Sequence, residues 1–183
     1  VDAIKVANNL RNSNIGLLGH YYGGMLDVYT DLTQLSAVFG SHFEILEMST
    51  LFRYFHESKR DEIESKLTQF NNEFNVDIEC SKNELIKAAK GSIALDRLVK
   101  EKGLNALAYY YDGSDDPRYV EIITSLIAGN TLLTKHNVPV AGEYEVKNVI
   151  AMKILDLFGS GGSFSEFYAM DLNDDVILLG HDG

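Results

Sequence analysis

SKNELIKAAKGSIALDRLVKEKGLNALAYYY, residues 81–111, holds a helix, a stop and a strand in that order. Ser81 is an N-cap residue, and Glu84 three positions later completes a capping-box pattern. Leu85, Ala89, Ile93 and Val99, joined by Ile86 and Leu98, lay an apolar stripe along the helix. Gly103 supplies the left-handed residue that closes it. NALAYYY (105–111) then follows as an apolar run of strand length.

The same alternation extends in both directions. Upstream, IGLLG (15–19) reads as a short buried strand, DVYTDLTQLSAVFG (27–40) as a helix closed by Gly40, and HFEILEM (42–48) as a second strand. Residues 49–74 read as helix in two pieces opened by the caps Ser49 and Thr50, and NVDIE (75–79) as a short strand. Downstream, DGSDDP (112–117) is a turn with Pro117 at a helix start, and RYVEIITSLIAGNTLLTK (118–135) is one helix. VPVAGEY (138–144) is a strand, EVKNVIAMKILDLFG (145–159) a helix, and GSFSEFYAM (162–170) and VILLGHDG (176–183) are strands. This order predicts an α/β fold with a mainly parallel, Rossmann-like sheet and helices on both faces. LNDD (172–175) is too short for a parallel crossover, so the last two strands are expected to form an antiparallel hairpin at one end of the sheet. The helix at 145–158 is apolar on nearly all sides, which predicts burial in the domain or against a partner.

Composition narrows the function classes. A chain of 183 residues is long enough to bury one good core. The formal charge of −11 argues against nucleic acid and against an anionic membrane surface as partners. No run of 18 apolar residues occurs, so no membrane span is expected. The single cysteine, Cys80, excludes an internal disulfide, fits a reducing cytoplasm and reads as a packing residue. The chain opens on Val1 and stops just after VILLG, which reads as an excised piece of a longer protein.

Candidate chemistry gathers in the last third. Glu143 follows a strand and Gly142, so the backbone can turn tightly and aim a carboxylate into the crevice at the carboxyl end of a sheet. Its bland alternative is a helix N-terminal residue favoured by the macrodipole. Glu166 alternates with Phe164, Tyr168 and Met170 on one strand face, where a carboxylate is costly unless paired, protonated or metal-bound. His181 ends VILLG, with Asp182 placed to orient its ring. Two carboxylates and an imidazole suit a hard-to-borderline divalent cation such as Mn²⁺. His20 ends IGLLG in the same way and is a candidate substrate-binding residue; Asp171 is a weaker candidate ligand. GSGGS (159–163) follows a helix and precedes a strand, the reverse of a phosphate-binding loop, and reads as a helix C-cap and turn. YYYDG (109–113) would suit sugar stacking, although aromatic residues in a buried strand are the plainer reading.

At these residues the chain resembles the aldose–ketose isomerases of the L-arabinose isomerase and L-fucose isomerase superfamily. AGEYEVKNVIAMKIL (141–155) is similar to the segment carrying a metal-binding glutamate before a helix, which implies that Glu143 rather than Glu145 is a ligand. GGSFSEFYAMDLNDDVILLGH (161–181) is similar to the arabinose isomerase segment with a Ser-Phe-x-Glu motif and a later histidine, which implies Glu166 and His181 as further ligands. IGLLGHYYGGMLDVYTDLTQLSAVFGSHFEILEM (15–48) resembles the opening of the central domain.

The resemblance implies a central α/β domain over 1–160 and, over 161–183, a hairpin that begins a further region. It also implies a separate amino-terminal domain and a fourth, histidine ligand elsewhere. The implied activity interconverts an aldose and a ketose of a free monosaccharide through an enediol, with Glu143 and Glu166 as metal ligands and acid/base pair and His181 completing this part of the site. A homo-oligomer is implied as well. A non-catalytic sugar-binding domain and a domain serving oligomer contacts are the competing expectations.

Overall fold

Four parallel strands form one sheet in the order β2 (His42–Leu46), β1 (Asn14–Gly19), β3 (Ala106–Tyr110), β4 (Val140–Ala141). The computed structural model describes residues 2–112 and 116–181. In chain order the helices are α1 (Asp2–Arg11), α2 (Leu32–Phe39), α3 (Met48–His56), α4 (Arg60–Glu73), α5 (Lys82–Lys102), α6 (Pro117–Ile123), α7 (Ile127–Lys135) and α8 (Val146–Leu157). A separate two-stranded antiparallel sheet, β5 (Glu166–Asp171) with β6 (Val176–Gly180), follows.

Period-two alternation along the strands divides the core between the two faces. Leu18, Leu107, Tyr109 and Val140 point to the side covered by α3, α5, α6 and α7. Ile15, Leu17, Ala106, Ala108 and Ala141 point to the side covered by α8, with Leu32, Leu35 and Phe39 of α2 packed beside it. Helices therefore lie on both faces, as the sequence predicts; β1, β3 and β4 are buried from both directions, whereas the edge strand β2 keeps His42 and Ile45 exposed. The predicted helix at 81–103 forms as α5: the Ser81 hydroxyl accepts from the Glu84 N–H at 3.2 Å, and Gly103 ends the helix at φ +61°. Among the described residues, no helix is long and apolar enough to cross a membrane.

Several expectations are corrected. NVDIE is a turn: the Asp77 side chain accepts from the Glu79 N–H at 2.8 Å, and Ile78 is 99% exposed. An aspartate that bonds its own neighbouring backbone competes with strand pairing. The helix read at 27–40 begins only at Leu32, because Asp31 caps it through the Thr33 and Gln34 N–H groups. Glu47, not Ser49 or Thr50, occupies the cap position of α3. The helix read at 118–135 breaks into α6 and α7, and at the break Thr124 and Ser125 turn their hydroxyls back onto the Val120 and Glu121 carbonyls. Cys80 is exposed, so it has no packing role.

Two differences concern the neighbourhood of the site. The strand read at 138–144 pairs only over Val140–Ala141. The closing hairpin stands as its own sheet instead of extending the parallel one. The apolar helix α8 is buried on one side, where its one buried cation, Lys153, donates to the Asn137 carbonyl at 2.7 Å and to Asp156 at 2.8 Å.

Candidate metal centre

Past Ala141 the chain makes a tight turn. Gly142 gives way to Glu143 at φ +57° and Tyr144 at φ +59°, two consecutive non-glycine residues in the left-handed region. Such backbone costs about 1–3 kcal/mol per residue and persists only where surrounding structure enforces it. Here the Tyr144 N–H donates to the Tyr109 carbonyl at 3.1 Å, and the Glu145 N–H donates to the Gly142 carbonyl at 3.0 Å. The Tyr144 ring is buried against Tyr21, with centroids 4.7 Å apart, and burial pushes its phenol up to about 12. The turn thus anchors Tyr144 inward and leaves the Glu143 side chain at the carboxyl end of the sheet.

Glu143 and Glu145 are separated by role. Glu145 caps α8, its carboxylate accepting from the Lys147 N–H at 3.2 Å. Glu143 lies outside the helix, so the helix-terminus alternative applies to Glu145 instead.

Glu166 and His181 arrive together through the hairpin. Antiparallel register pairs Glu166, the first residue of β5, with Gly180, the last of β6, and His181 follows directly. At the far end the Asp171 carboxylate accepts from the Asn173 and Asp174 N–H groups, so Asp171 shapes the turn and is not a ligand candidate here. The expected burial of Glu166 among Tyr168 and Met170 does not occur, since these are 44% and 54% exposed. A bulge between Phe167 and Ala169 breaks the alternation on which that expectation rested. Pairing across the hairpin places Glu166.

The three predicted residues converge. One ligand atom each from Glu143, Glu166 and His181 lies within 4.8 Å of the others, and all three side chains are half-buried. His181 Nε2 stands 3.9 Å from Glu143 Oε1. Burial is the main cause that pushes the Glu143 carboxyl up; His181 opposes the rise, while Glu166, Glu145 and Asp27 add repulsion. A carboxylate desolvated beside other carboxylates is a group whose charge a cation would stabilise. Oxygen, oxygen and imidazole nitrogen are also the donor set a divalent ion such as Mn²⁺ accepts. The residues fit the ion.

Phe164 is the site residue that the sequence reading missed in this role. Its ring lies 4.4 Å from the His181 ring, and a Cβ at Gly142 would come within 3.0 Å of it. Gly142 therefore leaves room for the ring that backs His181. GSGGS behaves as expected: Gly159 adopts φ +84°, and the Ser160 N–H reaches the Leu155 carbonyl at 3.1 Å to close α8.

His20 is not part of the cluster. It ends β1, packs against Tyr110 and Tyr111 at 5.6 and 5.5 Å, and its Nδ1–H donates to the Tyr21 carbonyl at 2.8 Å. It shares the carboxyl edge of the sheet with the site, since Tyr110 beside it is close enough to Glu143 for that charge to add to the burial-driven rise of the Tyr110 phenol. Asp182, expected to orient His181, lies outside the described residues. No protein-family model matches the chain, and no curated protein matches it.

Proposed function

We propose that the protein is a divalent-metal-dependent aldose–ketose isomerase acting on a free monosaccharide such as L-arabinose or L-fucose. The observation that carries this reading is the convergence of Glu143, Glu166 and His181 within 4.8 Å at the carboxyl end of a parallel sheet. Three residues from a strand-end turn and two ends of a hairpin meet where α/β sheets bind ligands. The resemblance of 141–155 and 161–181 to the arabinose isomerase segments supports the same three residues.

Glu143, Glu166 and His181 would hold the ion, with Mn²⁺ the expected metal. Bound there, it would supply Lewis-acid polarisation of the sugar's carbonyl and adjacent hydroxyl oxygens. The two carboxylates then act as acid and base. One takes the proton from the hydroxyl-bearing carbon beside the carbonyl. The C–H electron pair forms the carbon–carbon double bond, and the carbonyl π pair moves onto its oxygen. The second carboxyl group, acting as acid, gives that oxygen the proton that makes the enediol. Return of a proton to the former carbonyl carbon, with loss of the proton from the neighbouring hydroxyl as its O–H pair becomes the new carbonyl π bond, completes the interconversion of aldose and ketose. Phe164 holds the His181 ring in place, and the Tyr144 anchor holds the turn that carries Glu143.

The test is ketose formation from L-arabinose and L-fucose, with and without Mn²⁺, using the longest reading frame that contains this segment. Mn²⁺-dependent turnover that disappears in Glu166→Gln, with the melting curve unchanged, is the expected result. Retained turnover in that variant would remove Glu166 from the mechanism. Absence of turnover from a folded protein that binds Mn²⁺ would favour the sugar-binding alternative.

One observation supports self-association. Val176, Ile177, Leu178 and Leu179 of β6 are 54–59% exposed on a sheet of only two strands, which is marginal without cover. Contact with a second copy through this hairpin accords with the homo-oligomer that the resemblance implies. Light scattering of Ile177→Lys/Leu179→Lys, expected to show a smaller particle than the wild type, checks it. The single exposed cysteine agrees with a reducing, cytoplasmic setting.

A further inference from the structure

The closing hairpin meets the domain at its root. Every residue from 167 to 179 is exposed, whereas Glu166, Gly180 and His181 are half-buried. Phe167, Met170, Ile177, Leu178 and Leu179 are 54–59% exposed, so these apolar side chains contribute little of the stability that full burial would give them. A two-stranded sheet by itself is marginal in water.

The groups that hold the hairpin in shape sit at its two ends. At the tip, the Asp171 carboxylate accepts from the Asn173 N–H at 2.8 Å and from the Asp174 N–H at 3.3 Å. At the open end, Glu166 pairs with Gly180, and His181 is the next residue. Two of the three clustered side chains, Glu166 and His181, therefore belong to the two arms of the hairpin at its open end. The third, Glu143, belongs to the turn after β4, which the Tyr144 N–H ties to the Tyr109 carbonyl at 3.1 Å. Phe164 links the two sides by packing, with its ring on His181 and against Gly142. Between His181 Nε2 and Glu143 Oε1 the distance of 3.9 Å is longer than a hydrogen bond, so these two groups do not close the junction directly. A cation shared by the three side chains would join the arms of the hairpin to each other and to the sheet. Metal binding that draws separate segments together is folding free energy for those segments.

We propose that the Glu143, Glu166 and His181 centre is a latch: a divalent cation held there keeps the hairpin folded and docked on the sheet, and without it residues 167–179 open independently of the domain. Glu143 is the domain's half of the latch, and Glu166 with His181 is the hairpin's half. The proposal rests on the metal site of the reading above and is independent of the sugar chemistry.

Hydrogen exchange followed by mass spectrometry on the full chain tests it, with Mn²⁺ affinity measured by calorimetry on the same sample. When opening of the hairpin breaks the site, exchange slows by one plus the ratio of free Mn²⁺ to its dissociation constant. At about one hundred times that constant, the amides of 167–179 are expected to exchange about a hundredfold more slowly than without Mn²⁺. The amides of α1, which fray locally with the site intact, are the control and should change less than about twofold. Glu143→Gln alters no residue of the hairpin, yet at the same Mn²⁺ concentration it should reduce the slowing at least about tenfold. Full slowing in Glu143→Gln would overturn the link between hairpin and sheet. Ile177→Lys/Leu179→Lys separates the latch from self-association: it should keep the slowing, and its loss from a variant that still binds Mn²⁺ would overturn the proposal. Unchanged exchange in a wild type that binds Mn²⁺ would overturn the latch and leave the metal site standing. A folded protein that takes up no Mn²⁺ would overturn the metal site and the latch together.

Discussion

Lys153→Met should destabilise the protein by an amount out of proportion to a surface lysine. The ammonium and the Asp156 carboxylate lie 2.8 Å apart on side chains only 8% and 10% exposed, and the same ammonium donates to the Asn137 carbonyl at 2.7 Å. Removing the cation leaves a carboxylate and a carbonyl with little access to water. Breaking such a pair from one side costs about 3–5 kcal/mol. Methionine returns part of this through apolar contact, so a net loss of about 3 kcal/mol is expected. For a chain of this size that lowers the melting temperature by roughly 6–12 °C. Replacing both partners, as Lys153→Met with Asp156→Leu, removes the orphaned charge and should recover more than half of the loss. Lys147→Met is the control, since Lys147 is exposed and its ammonium donates to the Asp27 carbonyl without leaving a charge behind; a loss under about 0.5 kcal/mol is expected. The assay is urea unfolding followed by circular dichroism. A single-variant loss under about 1 kcal/mol, or a double variant no better than the single, would refute the argument. The consequence reaches the site, because Asn137 opens the segment that runs through β4 to Glu143.

Three further outcomes are expected. Glu143→Gln should weaken Mn²⁺ binding by more than about tenfold in calorimetry, the scale on which even outer-sphere groups act, whereas Glu145→Gln should leave the affinity nearly unchanged and lower only stability through the lost cap of α8. Gly129→Ala should destabilise by about 1 kcal/mol in thermal unfolding: a Cβ there would sit 2.9 Å from the Ser92 Cα of α5, and overpacking of about 1–3 kcal/mol outweighs the helix-propensity gain of about 1 kcal/mol. For Glu62, the Lys59 N–H and then the Arg97 guanidinium hold the carboxyl below its ordinary range. A folded-state value below the unfolded one gives stability that is present above the unfolded carboxylate range and lost as pH falls through the folded value. Melting curves of wild type and Glu62→Gln should therefore differ at pH 7 and converge as the pH falls below the ordinary carboxylate range.

The α/β character was legible because its signals are local. Ser81 with Glu84, the stop at Gly103 and the apolar runs at 15–19 and 105–111 each lie within one element, and the elements formed where those signals stand. Local reading failed where side chains bonded their own backbone: Asp77 turned a strand-like run into a loop, and Thr124 and Ser125 divided one helix into two. Periodicity cannot register such bonds, because they depend on the hydrogen-bonding side chain and not on its hydropathy.

The three ligand candidates were legible as residues, but for Glu166 the reasoning differed from the outcome. Alternation predicted a carboxylate buried on an apolar face, whereas a bulge cancels that alternation and the pairing of Glu166 with Gly180 brings it to His181.

By itself the sequence determined the class of fold and the parallel order implied by alternating elements, and it named the two carboxylates and the imidazole that are candidate ligands. Strand and helix periods and caps are properties of neighbouring residues, so they survive without a partner. Only the tertiary structure decided that β4 shortens to two residues, that Glu143 sits in a left-handed turn while Glu145 caps a helix, and that three side chains meet within 4.8 Å. Those outcomes depend on strand register and on which distant groups satisfy each backbone bond, and both are set when the whole chain packs.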